Sequence, residues 1–204
     1  MKFLVLGATG GTGLEVIRLA KERGHAVTAL VRNPEKLAGF DNRIGVVKGD
    51  LLSPSELEAS VQGQDAVLSA FGPLADKARL WKQYASALTE AMSSSRIRRV
   101  MVLSVAFLFK DSIIPPAYFA GRLFFRDTVI GAAEMEEIFM KSGLEWTIAR
   151  PPRLTDGAYT GKYRVREGHL PRFGFTVSRA DVADYMIKAV EGRADIGKIV
   201  GVCN

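Results

Sequence analysis

The chain has 204 residues, 48% of them hydrophobic and 25% charged, the balance of an ordinary soluble protein with enough length for one hydrophobic core. Its one cysteine, Cys203, excludes an internal disulfide and a cysteine-built zinc site, and no apolar run is long enough to span a bilayer. The net charge of +6 is scattered, with Arg96-Ile97-Arg98-Arg99 as its tightest basic cluster, so no nucleic-acid partner is expected and an anionic cofactor accounts for part of the excess equally well.

Phe3–Leu6 is a short apolar run, predicted as the first strand. After a glycine-rich turn, Leu14 to Arg23 carries apolar residues at 14, 16, 17, 19 and 20, the spacing of an amphipathic helix, and Gly24 is placed to end it. Ala26–Val31 reads as the second strand. Asn33-Pro34 then opens a short helical turn, asparagine as cap and proline at the first helical position. Ile44–Val47 is the third strand, and Ser53-Pro54-Ser55-Glu56 has the form of a capping box for a helix to about Val61. Ala66–Ala70, Val100–Ser104, Trp146–Ala149 and Ile199–Val202 continue the strands.

Nearly every strand is a continuous apolar run, as expected where helices cover both faces of a parallel sheet. Strand–helix alternation therefore predicts an α/β fold, a Rossmann-type doubly wound parallel sheet in a single domain over residues 1–204. The pattern loosens over 105–126, rich in phenylalanine and broken by Pro115-Pro116, and over 151–176, rich in proline, glycine and basic residues. Both segments follow late strands, at the carboxyl ends where open α/β sheets bind ligands, and both are expected on the substrate side. A packed lid, a dimer surface and a substrate pocket all fit residues 107–125, so monomer and dimer both stay open. Met1–Gly7 is too short an apolar run for a signal peptide, and a cytoplasmic protein is expected.

The chemistry concentrates at Gly7-Ala8-Thr9-Gly10-Gly11-Thr12-Gly13, between the first strand and the first helix. Gly7 permits a tight exit from the strand, Gly10 a close approach to pyrophosphate, and Gly13 close packing of helix on strand. The helix N-terminus then offers N–H groups and a positive dipole end to phosphate, and Thr9, Gly11 and Thr12 lie within the same turn. NAD-selective versions of this motif place an acidic residue roughly 20 residues beyond the glycines, to hold the adenosine 2′-hydroxyl. Here the second strand ends Leu30-Val31-Arg32-Asn33, with Lys36 a turn later. A carboxylate would repel a 2′-phosphate, whereas a guanidinium chelates one, so NADP(H) is the expected cofactor.

Asp50 is placed to accept from the adenine amino group, with Leu51 against the ring; its other reading is the start of the next turn. Ala70-Phe71-Gly72 would run beside the cofactor ribose, and Ser104 and Val105 beside the nicotinamide, with the Ser104 hydroxyl as the candidate catalytic group. Phe107, Tyr118 and Phe119 are expected as apolar walls for an acceptor, and Pro152 and Arg153 as further acceptor contacts, the arginine meeting a phosphate or propionate. His25 is read as a surface residue, His169 as bordering the pocket, and Asp181 and Asp184, in the helix after Ser178, as cap and solvent face. The histidines and Cys203 form no ligand cluster, and no metal is expected.

With these residues placed, the chain resembles the NAD(P)H-binding atypical short-chain dehydrogenase/reductase family, the NmrA-like group, and within it the flavin reductase (biliverdin-IXβ reductase) branch. The matching segments include the glycine turn, Leu30-Val31-Arg32, Val47-Lys48-Gly49-Asp50, Gly63-Gln64-Asp65-Ala66-Val67, Ala106-Phe107-Leu108, Ser142-Gly143-Leu144, Pro151-Pro152 and Gly157-Ala158-Tyr159-Thr160. The resemblance implies Arg32 and Lys36 on the 2′-phosphate and hydride transfer from NADPH to a flavin or a linear tetrapyrrole. Three departures matter. The branch has a serine before its Ala-Phe pair, where this chain has Val105, and a histidine after its paired prolines, where this chain has Arg153. The Tyr-x-x-x-Lys pair of short-chain reductases is absent, since Tyr118 is followed by Arg122. Two functions therefore remain: an NADPH-dependent oxidoreductase reducing a flavin or similar planar acceptor, and a non-catalytic NADP-binding redox sensor of the NmrA-like kind.

Overall fold

The computed structural model describes residues 1–40, 44–72, 78–109 and 123–204. Five strands alternate with helices in the first half: β1 (Lys2–Leu6), α1 (Gly11–Glu22), β2 (Ala26–Val31), β3 (Gly45–Lys48), α2 (Pro54–Val61), β4 (Ala66–Ser69), α3 (Ala78–Ser93) and β5 (Arg99–Leu103). The second half adds α4 (Arg126–Lys141), β6 (Glu145–Arg150), β7 (Arg153–Thr155), β8 (Arg164–Glu167), β9 (Thr176–Ser178), α5 (Arg179–Glu191) and β10 (Lys198–Cys203). Among the described residues no helix is long and apolar enough to cross a membrane.

The main sheet has eight strands in the order β3-β2-β1-β4-β5-β6-β10-β8, all parallel except β8, which runs antiparallel to β10. Its first six positions have the strand order of a dinucleotide-binding doubly wound sheet, and the direction of winding reverses between β1 and β4. That switch point is where a crevice opens at the carboxyl ends of the strands.

Alternation along each strand builds two cores. Phe3 and Val5 of β1 face a cluster shared with Val16 and Ile17 of α1 and Val182 and Met186 of α5. Leu4 and Leu6 face the opposite cluster, with Leu57 of α2, Tyr84 and Leu88 of α3 and Phe139 of α4. Because side chains of successive strand residues point to opposite faces, an unbroken apolar strand is what a helix layer on each side requires.

Local signals act as expected at several boundaries. Gly24 takes φ +78° directly after α1, and its N–H donates to the Lys21 carbonyl at 2.9 Å. The Ser53 hydroxyl accepts from the Glu56 N–H at 3.5 Å, but the Glu56 carboxylate reaches the Asp50 N–H at 2.7 Å and so closes the β3–α2 loop. The cap expected from Asn33 is not made: the 3-10 turn Pro34–Leu37 forms without a side-chain hydrogen bond from it.

Three further expectations are corrected. Edge strand β3 is exposed along its whole length, unlike the doubly covered strands: it ends the sheet, with β2 as its one neighbour. Asp184 is fully buried, not on a solvent face: it receives Tyr163 Oη at 2.7 Å and pairs with Arg23 and Lys188. His25 is at the surface but half-buried rather than free: its ring packs 4.6 Å from that of Phe3 and bonds Glu191 at 2.7 Å. Residues 151–176 are also more regular than their composition implies. β7 pairs with β9 in a small second sheet, while β8 crosses to the far edge of the main sheet.

Candidate functional site

The turn after β1 is shaped by two close backbone approaches. Gly7 has φ +71°, and a Cβ there would lie 2.6 Å from the carbonyl carbon and oxygen of Ala70, where β4 ends. A Cβ on Gly13 would lie 2.2 Å from the Gly7 carbonyl oxygen, so α1 leaves the strand at a distance that excludes any side chain. Gly10 is different: its φ of −83° suits any residue, and a Cβ would meet only the Gly7 oxygen, at 3.3 Å. Its lack of a side chain keeps the outer side of the turn open.

No side chain caps the N-terminus of α1, and its first turn contains no acidic residue. The leading N–H groups of the helix, with their partial positive charge, therefore remain available to an anion.

A groove of about 480 Å³ begins at this turn, on Gly7, Ala8, Thr9 and Gly10. One wall is the end of β2 with the β3–α2 loop: Leu30, Val31, Arg32, Asp50, Leu51 and Leu52. The other is Ala70, Phe71 and Gly72 after β4, with Leu80 of α3. Arg32 is exposed and pairs with no carboxylate among the described residues. Asp50 holds its own turn by accepting from the Leu52 N–H at 3.1 Å, and it also lines the groove. Lys36 is exposed and is not a lining residue. Gly11, Thr12 and Gly13 belong to the first turn of α1, beside the groove rather than in its lining.

The end of β4 is held rigidly. Tyr84 of α3 donates to the buried Ser69 Oγ at 2.5 Å, and burial pushes the Tyr84 hydroxyl well above the usual phenol range, so it stays protonated as a donor. The Phe71 ring sits 4.5 Å from that of Tyr84, which fixes the segment 70–72 against α3.

Ser104 follows β5. Its N–H donates to the Ala149 carbonyl at 2.8 Å, while its buried Oγ has no hydrogen-bond partner among the described residues. An orphan hydroxyl at the carboxyl end of a central strand is a polar group still owed a partner. Val105 is half-buried against the α3–α4 side of the sheet, and neither residue is among those lining the groove. Nearby, Arg150 at the end of β6 forms a buried pair with Glu136 of α4 and lies 4.7 Å above the Phe109 ring.

Of the expected acceptor contacts, Phe107 is half-buried and stacks on Phe125 at 5.6 Å. Pro152 is half-buried and Arg153 exposed at the start of β7. Tyr118 and Phe119 lie outside the described residues. Sequence reasoning did not single out Leu52 and Leu80 as groove residues, nor Arg179, whose side chain crosses Gly11. Only the packing of α5 on α1 brings that arginine to the turn. Among the described residues no group of acidic, histidine or cysteine side chains is arranged to hold a metal.

Comparison with known proteins agrees with this architecture. The family model described as NAD(P)H-binding matches residues 7–193. The uncharacterised protein YwnB of Bacillus subtilis is 27% identical over 199 residues, covering 94% of this chain and 91% of its own length. The NAD(P)H azoreductase of Xenophilus azovorans is 26% identical over 192 residues, or 92% of this chain and 62% of that protein. A solved structure from Streptococcus pneumoniae, a candidate NADH-flavin reductase, superposes with a TM-score of 0.80 at 22% identity, covering 100% of this chain and 99% of the other.

Proposed function

We propose that this chain, which belongs to the NAD(P)H-binding family, is an NADPH-dependent reductase that delivers hydride to a flavin or a similar planar acceptor. The observation that carries the cofactor half is Arg32, an exposed guanidinium, unpaired among the described residues, that lines the groove at the end of β2 where a carboxylate would select NADH. The residues fit the dinucleotide: a glycine cradle in which Gly7 and Gly13 tolerate no Cβ, an uncapped helix N-terminus without acids, and an orphan Ser104 hydroxyl. The acceptor half is supported by the azoreductase relative and by the flavin reductase neighbour, whose names both point to conjugated acceptors.

Bound in this groove, NADPH supplies the hydride, and the protein supplies orientation and electrostatics. The first turn of α1 would hold the pyrophosphate and Arg32 the 2′-phosphate, with the 70–72 backbone as the wall on the ribose side. Ser104 Oγ, beyond the groove lining at the end of β5, would be free to give its unused hydrogen bond to the nicotinamide end of the cofactor. Phe107, stacked on Phe125, forms an apolar wall against which a planar acceptor is held. A flavin needs no protein acid, since solvent or its own ionisation provides the proton, and orientation at near-contact distance accounts for the acceleration.

The test is steady-state NADPH oxidation by the purified protein with FMN, with NADH as control. Saturable, protein-dependent turnover that prefers NADPH is expected. Tight NADPH binding without turnover on FMN or on a panel of flavins, azo dyes and linear tetrapyrroles would overturn the reductase assignment in favour of the redox sensor.

A further inference from the structure

Ser178 caps α5: its Oγ accepts from the Asp181 N–H at 3.0 Å, which makes Arg179 the first residue of that helix. Helices α1 and α5 pack side by side, and Arg179 projects across the start of α1. A Cβ on Gly11 would lie 2.7 Å from Arg179 Cδ and 2.8 Å from Nε. The guanidinium thus lies directly over the first helical residue of the phosphate-binding turn, where any residue larger than glycine would displace it.

For structure alone this is a poor place for a cation. The N-terminus of α1 carries a partial positive charge, and Arg179 also stands at the positive end of its own helix. The first turn of α1 supplies no acid. The compensating charge is Asp156, 2.5 Å from the guanidinium but 90% exposed, on the loop after β7. An ion pair that open to water contributes little, so the aspartate is easily exchanged for a stronger anion.

We infer that Arg179 is a pyrophosphate-binding residue, with Asp156 as the anion that occupies it until the dinucleotide enters. The inference rests on the NAD(P)H-binding reading and deepens it, dividing the phosphates between two arginines. Arg32 meets the 2′-phosphate found only in NADPH, and Arg179 meets the pyrophosphate common to both cofactors.

Equilibrium binding of NADPH and of NADH, followed by titration calorimetry, separates these roles. Arg179→Gln is expected to weaken both cofactors alike, by roughly 10-fold or more, as loss of a charged hydrogen bond does. Arg179→Lys should recover part of that loss. Asp156→Asn should tighten both cofactors by removing the competing carboxylate. Thermal unfolding without cofactor should leave Arg179→Gln as cooperative as the parent, which separates lost binding from lost folding. Unchanged affinities in a folded Arg179→Gln protein would overturn the inference while leaving the dinucleotide site intact. A loss confined to NADPH would overturn it too, and weaker binding in Asp156→Asn would show the aspartate to be part of the site rather than its competitor. If the parent protein bound neither dinucleotide, the NAD(P)H reading itself would fall.

Discussion

At the scale of single residues, cofactor choice turns on Arg32. An exposed guanidinium is ordinarily a solvated charge, and its meaning here comes from position: it ends β2 on the rim of a groove that starts at the glycine turn. A hydrogen bond to a charged partner contributes about 1.5–3 kcal/mol, or roughly 10- to 100-fold in affinity. Arg32→Ala is therefore expected to weaken NADPH binding by that factor and leave NADH unchanged, measured as the ratio of the two dissociation constants. An unchanged ratio would return Arg32 to the solvent. Ser104 argues from the opposite circumstance, since its hydroxyl is buried and unpartnered. Its position at the end of a strand is visible in the sequence, but the missing partner is a fact of tertiary packing.

At the scale of elements, α1 must meet β1 more closely than a side chain permits. The 2.2 Å approach of a Gly13 Cβ to the Gly7 oxygen involves two backbone segments, neither of which can swing aside as a flexible side chain would. Gly13→Ala is thus expected to destabilise the fold by about 1–3 kcal/mol, the usual range for overpacking, and to loosen the turn that receives phosphate. Denaturant unfolding reads the first effect and NADPH titration the second; an alanine variant as stable as the parent would show that α1 can shift as a body. The N-terminus of α5 is organised differently. Burial opposes ionisation of Asp181, yet the Thr160 N–H and hydroxyl, the Gly161 N–H and Ser178 hold its carboxyl below the usual range. The sequence reads Asp181 as a cap, but Ser178 caps the helix, and the Asp181 carboxylate is tied to Thr160 and Gly161, which arrive from a distant loop.

At the scale of the whole molecule, Asp184 joins α1, α5 and the loop before β8. Burial raises the cost of its charge, but hydrogen bonds from Lys188 and Tyr163 and the nearby charge of Arg23 outweigh that and hold its pKa below the ordinary value. A depressed carboxyl stabilises the fold above its unfolded-state pKa, about 4, and that contribution is lost as pH falls through the lower folded value. Stability should therefore decline with acid below about pH 4. Asp184→Asn should be less stable at neutral pH by about 1.5–3 kcal/mol and respond less steeply to acid, as read from thermal unfolding across pH. Equal acid slopes in the two proteins would place the acid sensitivity elsewhere.

Short-range features are legible from the residues alone: the strand Ala26–Val31, the helix stop at Gly24, the cap at Ser53 and the glycine turn at the first strand–helix junction. Each depends on residues within a few positions of one another, so periodicity, caps and φ preferences are enough to read them. The strand order that follows β1 with β4 is a property of the assembled sheet, and it is what opens the groove. Tertiary structure alone decided that Asp184 is buried, that 164–167 joins β10, and that Arg179 lies on Gly11. Those outcomes join residues far apart in the chain, where local propensity carries no information and the competition among charge, burial and available partners is settled only once the sheet and its two helix layers have closed.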